Sequence, residues 1–338
     1  MPVDLVHLAC CRRVGSVRQA CRVSGFDVNA GRVERLRQEL VDEQVWIPAD
    51  PDLADALLAE LDYARHPHAH EGVAPRYGAL VVADAPRVDV VRSLNLVDVG
   101  GVPLAVARRL ADGRSSFIVR MLGRNDRLLC FDRTHEHESS VVHLVTATGA
   151  FAVQRLGRGW VRLTTPQGVA TWDGIRWAQK LLSPHIVERI TPMLLDADPD
   201  VLANLVELCN HWLGAGRIGT AIVWRLDGDA HQLDGLGFRS SVDIPPLDLT
   251  NRSHLAPLLN ALSQYDRAAL VDGDGHVTTV GVHLQTSEQS RRDIPPFRGT
   301  RHTSALRFSA DAPNAAVFVV SSNGTLSIAW RGQRLETN

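Results

Sequence analysis

The chain has 338 residues, a normal apolar fraction of 45% and a formal net charge of -2, so its length suits two or three domains rather than one. A charge so close to zero is not that of a chain built to neutralise nucleic-acid phosphates, and no nucleic-acid partner is expected. The sequence contains no run of about 18 apolar residues. Its five cysteines show no paired spacing, so we predict a cytoplasmic protein with free thiols and no membrane span.

Residues 1–75 are predicted to form a helical region. Within 30–43 the apolar residues follow a helical spacing among charged ones. Asp50 and Pro51 suit the N-cap and the first position of a second helix over 53–63.

Residues 76–195 change to short apolar strands separated by glycine-containing turns, which predicts a small α+β domain. The predicted strands are 78–83, 116–120, 127–131, 140–146, 150–155 and 160–164, with helices at 102–111 and 181–195. The run His135-Glu136-His137-Glu138 lacks the spacing of an HExxH zinc site and is interpreted as a solvated turn.

Residues 196–338 alternate helices with strands, which predicts a mixed central sheet flanked by helices. The predicted helices are 199–213, 253–264 and 300–310, and the predicted strands are 220–225, 268–271, 277–284, 315–320 and 325–330. Asp-Gly-Asp-Gly at 272–275 and Asn-Gly at 323–324 are typical hairpin turns. The fold class is therefore α/β, with this domain following the smaller α+β domain.

The two domains are similar to each other in pattern. Residues 103–131 resemble 254–283, and residues 140–155 resemble 315–331. A decayed duplication and two unrelated but similar α+β units both explain this pattern. The first copy has no counterpart of Gly-Thr-Arg-His, so no catalysis is assigned to it.

Four segments of the last domain combine strand ends, a helix start and polar residues in one order along the chain. They are Gly219-Thr220-Ala221-Ile222-Val223, Asp266-Arg267-Ala268, Gly299-Thr300-Arg301-His302-Thr303 and Val319-Val320-Ser321-Ser322-Asn323-Gly324. In this order they resemble the diadenylate cyclase domain family, which includes the nucleotide-binding domain of the DNA-integrity scanning protein DisA. The resemblance covers residues 199–335.

The resemblance implies an enzyme that condenses two ATP molecules into cyclic di-AMP and releases pyrophosphate. Two nucleotides must then face each other, which implies a homo-oligomer with its cyclase domains head to head. Mg²⁺ or Mn²⁺ is expected as the cofactor, because the charge of a triphosphate is costly to bring into a pocket. An amino-terminal sensor or regulatory region is typical of the family and is expected here.

The resemblance also implies roles for individual residues. Asp266, Arg301 and His302 match the catalytic positions, and Asp266 and His302 would also hold the metal ion. A helix start with an arginine and an imidazole suits phosphate binding by charge and by free backbone N–H groups. The expected nucleotide contacts are Arg267, Ala268, Gly299, Thr300, Thr303 and Ser321.

A second alignment would place the family's Asp-Gly-Ala motif on Asp272-Gly273-Asp274. In the family a short strand, a turn and a second strand follow that motif. Only Asp266 leaves room for all three before the strand at 277–284 ends. We therefore adopt the alignment on Asp266.

Two positions depart from the family pattern. Arg267 stands where the family has glycine, and Thr303 stands where it has a final arginine. Successive side chains on a strand point to opposite sides, so Arg267 is expected to point away from ATP. Two functions stay open, an active cyclase and a nucleotide-binding sensor with little or no turnover. A DNA-scanning function is not expected, because no DNA-binding module follows the cyclase-like domain.

Overall fold

A computed structural model of the chain describes residues 30–67, 74–83, 95–194, 197–226, 241–297, 299–335 and 337. They form two mixed β-sheets with helices packed on both, which confirms the predicted α/β class. Within these residues, no helix has both the length and the apolar composition needed to cross a bilayer. The domain boundaries at 75/76 and 195/196 stay predictions.

The first sheet has eight strands in the spatial order β2-β4-β3-β1-β5-β6-β7-β8. They are β1 (Tyr77–Val82), β2 (Asn95–Asp98), β3 (Ser116–Met121), β4 (Arg127–Cys130), β5 (Phe151–Arg155), β6 (Val161–Thr164), β7 (Gly168–Trp172) and β8 (Trp177–Leu181). The helices of this region are α1 (Ala30–Asp42), α2 (Pro51–Arg65), α3 (Leu104–Ala107) and α4 (Glu138–Thr148). Apolar residues of α1 and α2 pack on one face of the sheet, and those of α4 pack on the other.

The second sheet has seven strands in the spatial order β10-β12-β11-β9-β13-β14-β15. They are β9 (Thr220–Arg225), β10 (Val242–Asp248), β11 (Ala268–Val271), β12 (His276–Val282), β13 (Ala315–Val320), β14 (Leu326–Trp330) and β15 (Gln333–Leu335). The helices are α5 (Ser183–Ile190), α6 (Pro199–Glu207), α7 (Arg252–Gln264), α8 (Glu288–Asp293) and α9 (Thr300–Asp311). The α6 helix continues as a π-helix over Leu208–Leu213 and ends with the turn Gly214–Gly216.

The two sheets have the same topology. In each, the first strand lies parallel to the third and antiparallel to the fifth, and the remaining neighbours are antiparallel. β1 to β7 correspond in chain order and in spatial order to β9 to β15, and β8 is an addition. In this scheme α3 corresponds to α7 and α4 to α9. The similarity noticed between residues 103–131 and 254–283 is therefore confirmed at the level of topology.

The helix before each sheet starts in the same way. Ala-Asp-Pro-Asp stands at 49–52 and again at 197–200. The carboxylate of Asp50 accepts from the backbone N–H of Leu53, and the carboxylate of Asp198 accepts from the N–H groups of Asp200 and Val201. Proline follows at the first helical position, where its missing N–H is not needed.

The strand predicted at 140–146 is wrong, because these residues lie in helix α4. Its β-branched residues favour a strand locally, but Val141, Leu144 and Val145 have helical spacing and are buried against the sheet. Gly149, with φ of +68°, ends the helix in the left-handed region. The strand of the first sheet that corresponds to β13 is therefore β5. The predicted match of residues 140–155 to 315–331 is out of register.

Candidate active site

A cavity of about 490 Å³ opens at one corner of the second sheet, within the size range of small-molecule sites. Five pieces of chain form it: the start of β9, the residues around the start of β11, the end of β12, the start of α9 and the turn after β13. Its lining residues are Ala221, Asp266, Arg267, Ala268, Val282, His283, Leu284, Gly299, Thr300, Arg301, His302, Ser304, Ser321 and Ser322. All of the predicted site residues except Thr303 are among them.

The sheet register explains why these distant residues meet. Ala268 pairs with Ala221 on one side and with Val282 on the other. Residues just before β11 therefore lie beside those just after β12. Because β13 neighbours β9, its end reaches the same corner and places Ser321 there.

Asp266 is open to solvent, and its side chain is 87% exposed. One carboxylate oxygen accepts from the backbone N–H of Arg267 at 2.9 Å, and Nη2 of Arg301 lies 3.3 Å from the same oxygen. The arginine and the carboxylate thus hold each other across the cavity. Both remain reachable by a ligand.

The start of α9 supplies the phosphate-binding features expected from the sequence. Gly299 has φ of +104°, a conformation that side-chain-bearing residues rarely adopt, and it turns the chain into the helix. The first N–H groups of a helix have no carbonyl partner within the helix and form its positive end. His302 Nε2 lies 3.4 Å from the hydroxyl of Ser321, which brings the helix and the turn after β13 together.

Gly219 makes room for Arg301. A Cβ atom at this glycine would stand 2.9 Å from Nη1 of Arg301 and 3.3 Å from the backbone nitrogen of Ser322. Any side chain here would displace the guanidinium or the turn. The glycine in the first of the four segments therefore has a steric role at the cavity.

Arg267 lines the cavity, and the expectation that it points away from the ligand is not supported. Strand β11 begins only at Ala268, so the alternation of side chains along a strand does not apply to Arg267. Its φ is +83°, in the left-handed region that favours glycine. The family's glycine at this position thus has a conformational reason.

Thr303 does not line the cavity, which corrects its predicted contact with the nucleotide. It is 7% exposed and packs under the loop before α9. Its hydroxyl accepts from the backbone N–H of Phe297 at 2.9 Å and lies 2.9 Å from the carbonyl oxygen of Gly299. Thr303 positions the loop instead of contacting a ligand.

Six lining residues are not among the predicted site residues: Ala221, Val282, His283, Leu284, Ser304 and Ser322. The pairing of Ala268 with Val282 would have located His283, but that register depends on the bulges between β11 and β12. Ser304 lies three residues after Arg301 on α9, so helical spacing alone could have found it.

The lining of the cavity includes side chains of the types that bind metal ions. Among the residues that the structure describes, no three His, Cys, Asp or Glu side chains are grouped as a protein cage would require. The cavity lining offers the carboxylate of Asp266 and the imidazoles of His283 and His302. Mg²⁺ commonly binds through one or two carboxylates together with substrate phosphates and water, and this donor set fits that mode.

Two family models match the chain. Residues 210–334 match the model described as DisA bacterial checkpoint controller nucleotide-binding, abbreviated DAC, and residues 34–180 match the probable sensor domain DACNK. The carboxy-terminal region is therefore a nucleotide-binding domain of the DAC family. The two matches follow each other along the chain in the order that the sequence resemblance predicted, a sensor domain and then a DAC domain.

No curated protein matches the chain. Among solved structures, a hypothetical membrane spanning protein from Bacillus cereus is 19% identical, with 46% of this chain and 80% of that chain covered and a TM-score of 0.29. A double mutant of DacA from Staphylococcus aureus is 16% identical, with 46% and 87% covered and a TM-score of 0.27. Likenesses this low add nothing to the fold described above.

Proposed function

We propose that the DAC domain is a diadenylate cyclase that condenses two ATP molecules into cyclic di-AMP and two pyrophosphates. The observation that carries this proposal is the convergence of all four sequence segments on one cavity of about 490 Å³. They are far apart in the chain, and the fold brings a carboxylate, a guanidinium, an imidazole and a helix start to one corner.

The reaction needs two bonds to form and two to break. The 3′-oxygen of each ATP attacks the α-phosphorus of the other, and each α–β phosphoanhydride bond breaks with its electron pair leaving on pyrophosphate. Asp266 would accept or orient the proton of the 3′-hydroxyl. Arg301 and the first N–H groups of α9 would stabilise the charge that develops on the phosphate oxygens.

Without a ligand, Arg301 and Asp266 form an ion pair across the cavity. With ATP bound, phosphate oxygens would compete for the guanidinium and release the carboxylate toward the hydroxyl. Asp266 and His302 would hold Mg²⁺ or Mn²⁺, which supplies neutralising charge for the triphosphate when bound. Each chain provides one such set of residues, so two chains would face each other to form the product.

The alternative function is an ATP-binding sensor with little or no turnover. Arg267 favours it, because a charged side chain in a glycine conformation lines the cavity where the family has no side chain. Such a chain would keep the phosphate site but would place the sugar and base poorly.

The test is to incubate the full chain with ATP and Mn²⁺ or Mg²⁺ and to look for cyclic di-AMP by mass spectrometry. ATP binding is measured in parallel by calorimetry, with Arg301→Ala as a variant that loses a phosphate contact. We expect product from the wild type and weaker ATP binding by the variant, by about 1.5–3 kcal/mol for a charged hydrogen bond. Tight ATP binding without product would replace the cyclase with the sensor function.

A further inference from the structure

A second, smaller cavity of about 200 Å³ lies between the two sheets. The first sheet contributes Arg162 on β6 and Lys180 on β8. The second half contributes Arg217 and the turn Asn323-Gly324-Thr325. Neither half builds this cavity alone, so its shape depends on how the two halves pack.

A buried carboxylate organises one wall. Glu138, at the start of α4, is 3% exposed, and its Oε1 lies 2.6 Å from Nζ of Lys180 and 2.8 Å from Nδ1 of His211. Its Oε2 lies 3.3 Å from Nε of Arg162. The burial of Glu138 contradicts its interpretation as part of a solvated turn, whereas His137 in the same run is exposed.

His211 is neutral in this arrangement. Its Nε2 accepts from the backbone N–H of Ser183 at 3.2 Å, so the ring proton sits on Nδ1 and is donated to Glu138. Burial lowers the pKa of His211 and favours the same state. The cavity therefore has three cations, Arg162, Lys180 and Arg217, against the single carboxylate of Glu138.

Two of these cations, the buried Arg162 and the partly buried Lys180, retain donor capacity. The ammonium of Lys180 has three N–H donors, of which Glu138 and the carbonyl oxygen of Asn210, 2.5 Å away, take two. The side chain of Arg162 is 8% exposed, and its Nε makes no hydrogen bond of good geometry. Lys180 is also the single lysine among 36 basic residues, so this position holds a compact charge where the chain otherwise uses arginine.

The third cation lies at the mouth. Arg217 has φ of +54°, and its guanidinium lies 4.0 Å from the ring centre of Trp160, across the boundary between the two halves. The tryptophan holds the exposed arginine over the opening by a cation–π contact. A charged ligand that enters would meet Arg217 first and then Arg162 and Lys180.

We propose that this cavity is a binding site for a small phosphate-type oxyanion, such as inorganic phosphate or pyrophosphate. Three cations against one carboxylate, with Arg162 buried and Lys180 partly buried, suit an anion with several acceptor oxygens. Sites for drug-sized ligands measure about 300–1,000 Å³, so a cavity of about 200 Å³ fits a small ion better than a nucleotide.

The turn after β13 joins this site to the active-site cavity. Ser321 and Ser322 line the active site, whereas Asn323, Gly324 and Thr325 line the second cavity. Gly324 packs backbone to backbone on the turn that ends α6, since a Cβ at Gly324 would stand 2.5 Å from the carbonyl oxygen of Gly214. An anion that moves this turn would therefore move Ser321, and this regulatory step rests on the proposed cyclase function.

Anion binding is tested without turnover, by calorimetric titration of phosphate and of pyrophosphate into the full chain. We expect binding by the wild type and at least a tenfold loss in Arg217→Gln. Arg331→Gln is the matched control, because Arg331 also has a positive φ, of 48°, and stacks 4.1 Å from Trp330, away from both cavities. The tighter of the two ligands shows whether a reaction product or free phosphate is the natural source.

Arg301→Ala separates this site from the active site. Retained anion binding in Arg301→Ala supports the proposal, whether or not the wild type makes cyclic di-AMP. Loss in Arg301→Ala with normal binding in Arg217→Gln would overturn it and place the anion in the active site. Lys180→Gln, checked for folding by circular dichroism, should lose binding as Arg217→Gln does, and undiminished binding by both variants would also overturn the proposal.

Discussion

The two sheets share one topology but differ at one corner. This corner holds the start of β3 and of α4 in the first sheet, and the start of β11 and of α9 in the second. In the second sheet this corner is an open cavity, and Asp266 presents an exposed carboxylate to it. In the first sheet ion pairs occupy the corner, since Glu136 lies 2.7 Å from Nε of Arg114 and 3.1 Å from Nη1 of Arg76. The same backbone arrangement thus leaves an open cavity in the second sheet and is filled by ion pairs in the first.

The aspartates before the third strands show the difference most clearly. Burial alone would raise the pKa of Asp112, but the backbone N–H groups of Arg114, Ser115 and Ser116 donate to its carboxylate and lower the pKa. The acceptor positions of Asp112 are therefore used by backbone groups of its own loop. Asp266 accepts a single backbone N–H and keeps acceptor positions for a ligand.

The largest expected effect is on catalysis. Asp266→Asn should lower the rate of cyclic di-AMP formation by about 10²–10⁴-fold, the range for losing a general base, while ATP binding changes little. Asp112→Asn in the first sheet should leave the rate unchanged. If Asp272→Asn abolishes product formation and Asp266→Asn does not, the alignment on Asp266 is wrong.

The next largest effect is on stability. Glu138→Gln leaves Lys180 and the buried Arg162 without their carboxylate and should lower the free energy of unfolding by about 3–5 kcal/mol. Glu136→Gln, two residues earlier and 32% exposed, should cost under about 1 kcal/mol. Denaturant unfolding of both variants measures this contrast, and equal losses would show that Glu138 is not a buried anchor.

Acid should weaken the same contacts in two stages. Burial lowers the pKa of His211 in the folded chain. The contribution of His211 to the free energy of unfolding is therefore complete above about pH 6.5 and declines as the pH falls below that value. Burial opposes ionisation of Glu138, but Lys180, Arg162 and His211 hold its pKa at about 2. Its contribution is therefore present above about pH 4.5 and is lost as the pH falls toward 2. The free energy of unfolding, measured as the pH is lowered across this range, should show two successive decreases in the wild type. The first should be absent from His211→Gln and the second from Glu138→Gln.

The smallest expected effect concerns Arg267. Arg267→Gly relieves a left-handed conformation, which should raise stability by about 1 kcal/mol. If the wild type is a slowed cyclase, turnover should also rise by about tenfold, or 1.4 kcal/mol in barrier. Gln44→Gly, at φ of +56° in the first half, is the control and should raise stability alone.

Thr303→Arg, which would restore the family's second missing residue, should lower stability instead. Thr303 is buried under the loop before α9, where its hydroxyl bonds to backbone groups of Phe297 and Gly299, and an arginine there would bury its charge. A gain in turnover from Thr303→Arg alone would show that this loop moves enough to bring residue 303 to the ligand.

The sequence predicted most of the second sheet and its site, because glycine, the Asn-Gly and Asp-Gly turns and the helix caps mark each boundary there. It did not predict α4, since Val141 and Val142 favour a strand until the sheet that buries them is known. It also missed the anion cavity, because Glu138 and His211 are 73 residues apart and meet only through packing between the two halves. Thr303 shows the same limit, since a motif gives the order of residues but not the direction in which each side chain points.

Lys180 also gives the molecule a natural reporter. As the chain has a single lysine, an amine-directed label can reach only one side chain. That side chain is 19% exposed and bonded to Glu138 and to Asn210 on the opposite half. Its labelling rate should therefore follow the separation of the two halves, and ligands that draw them together should slow it.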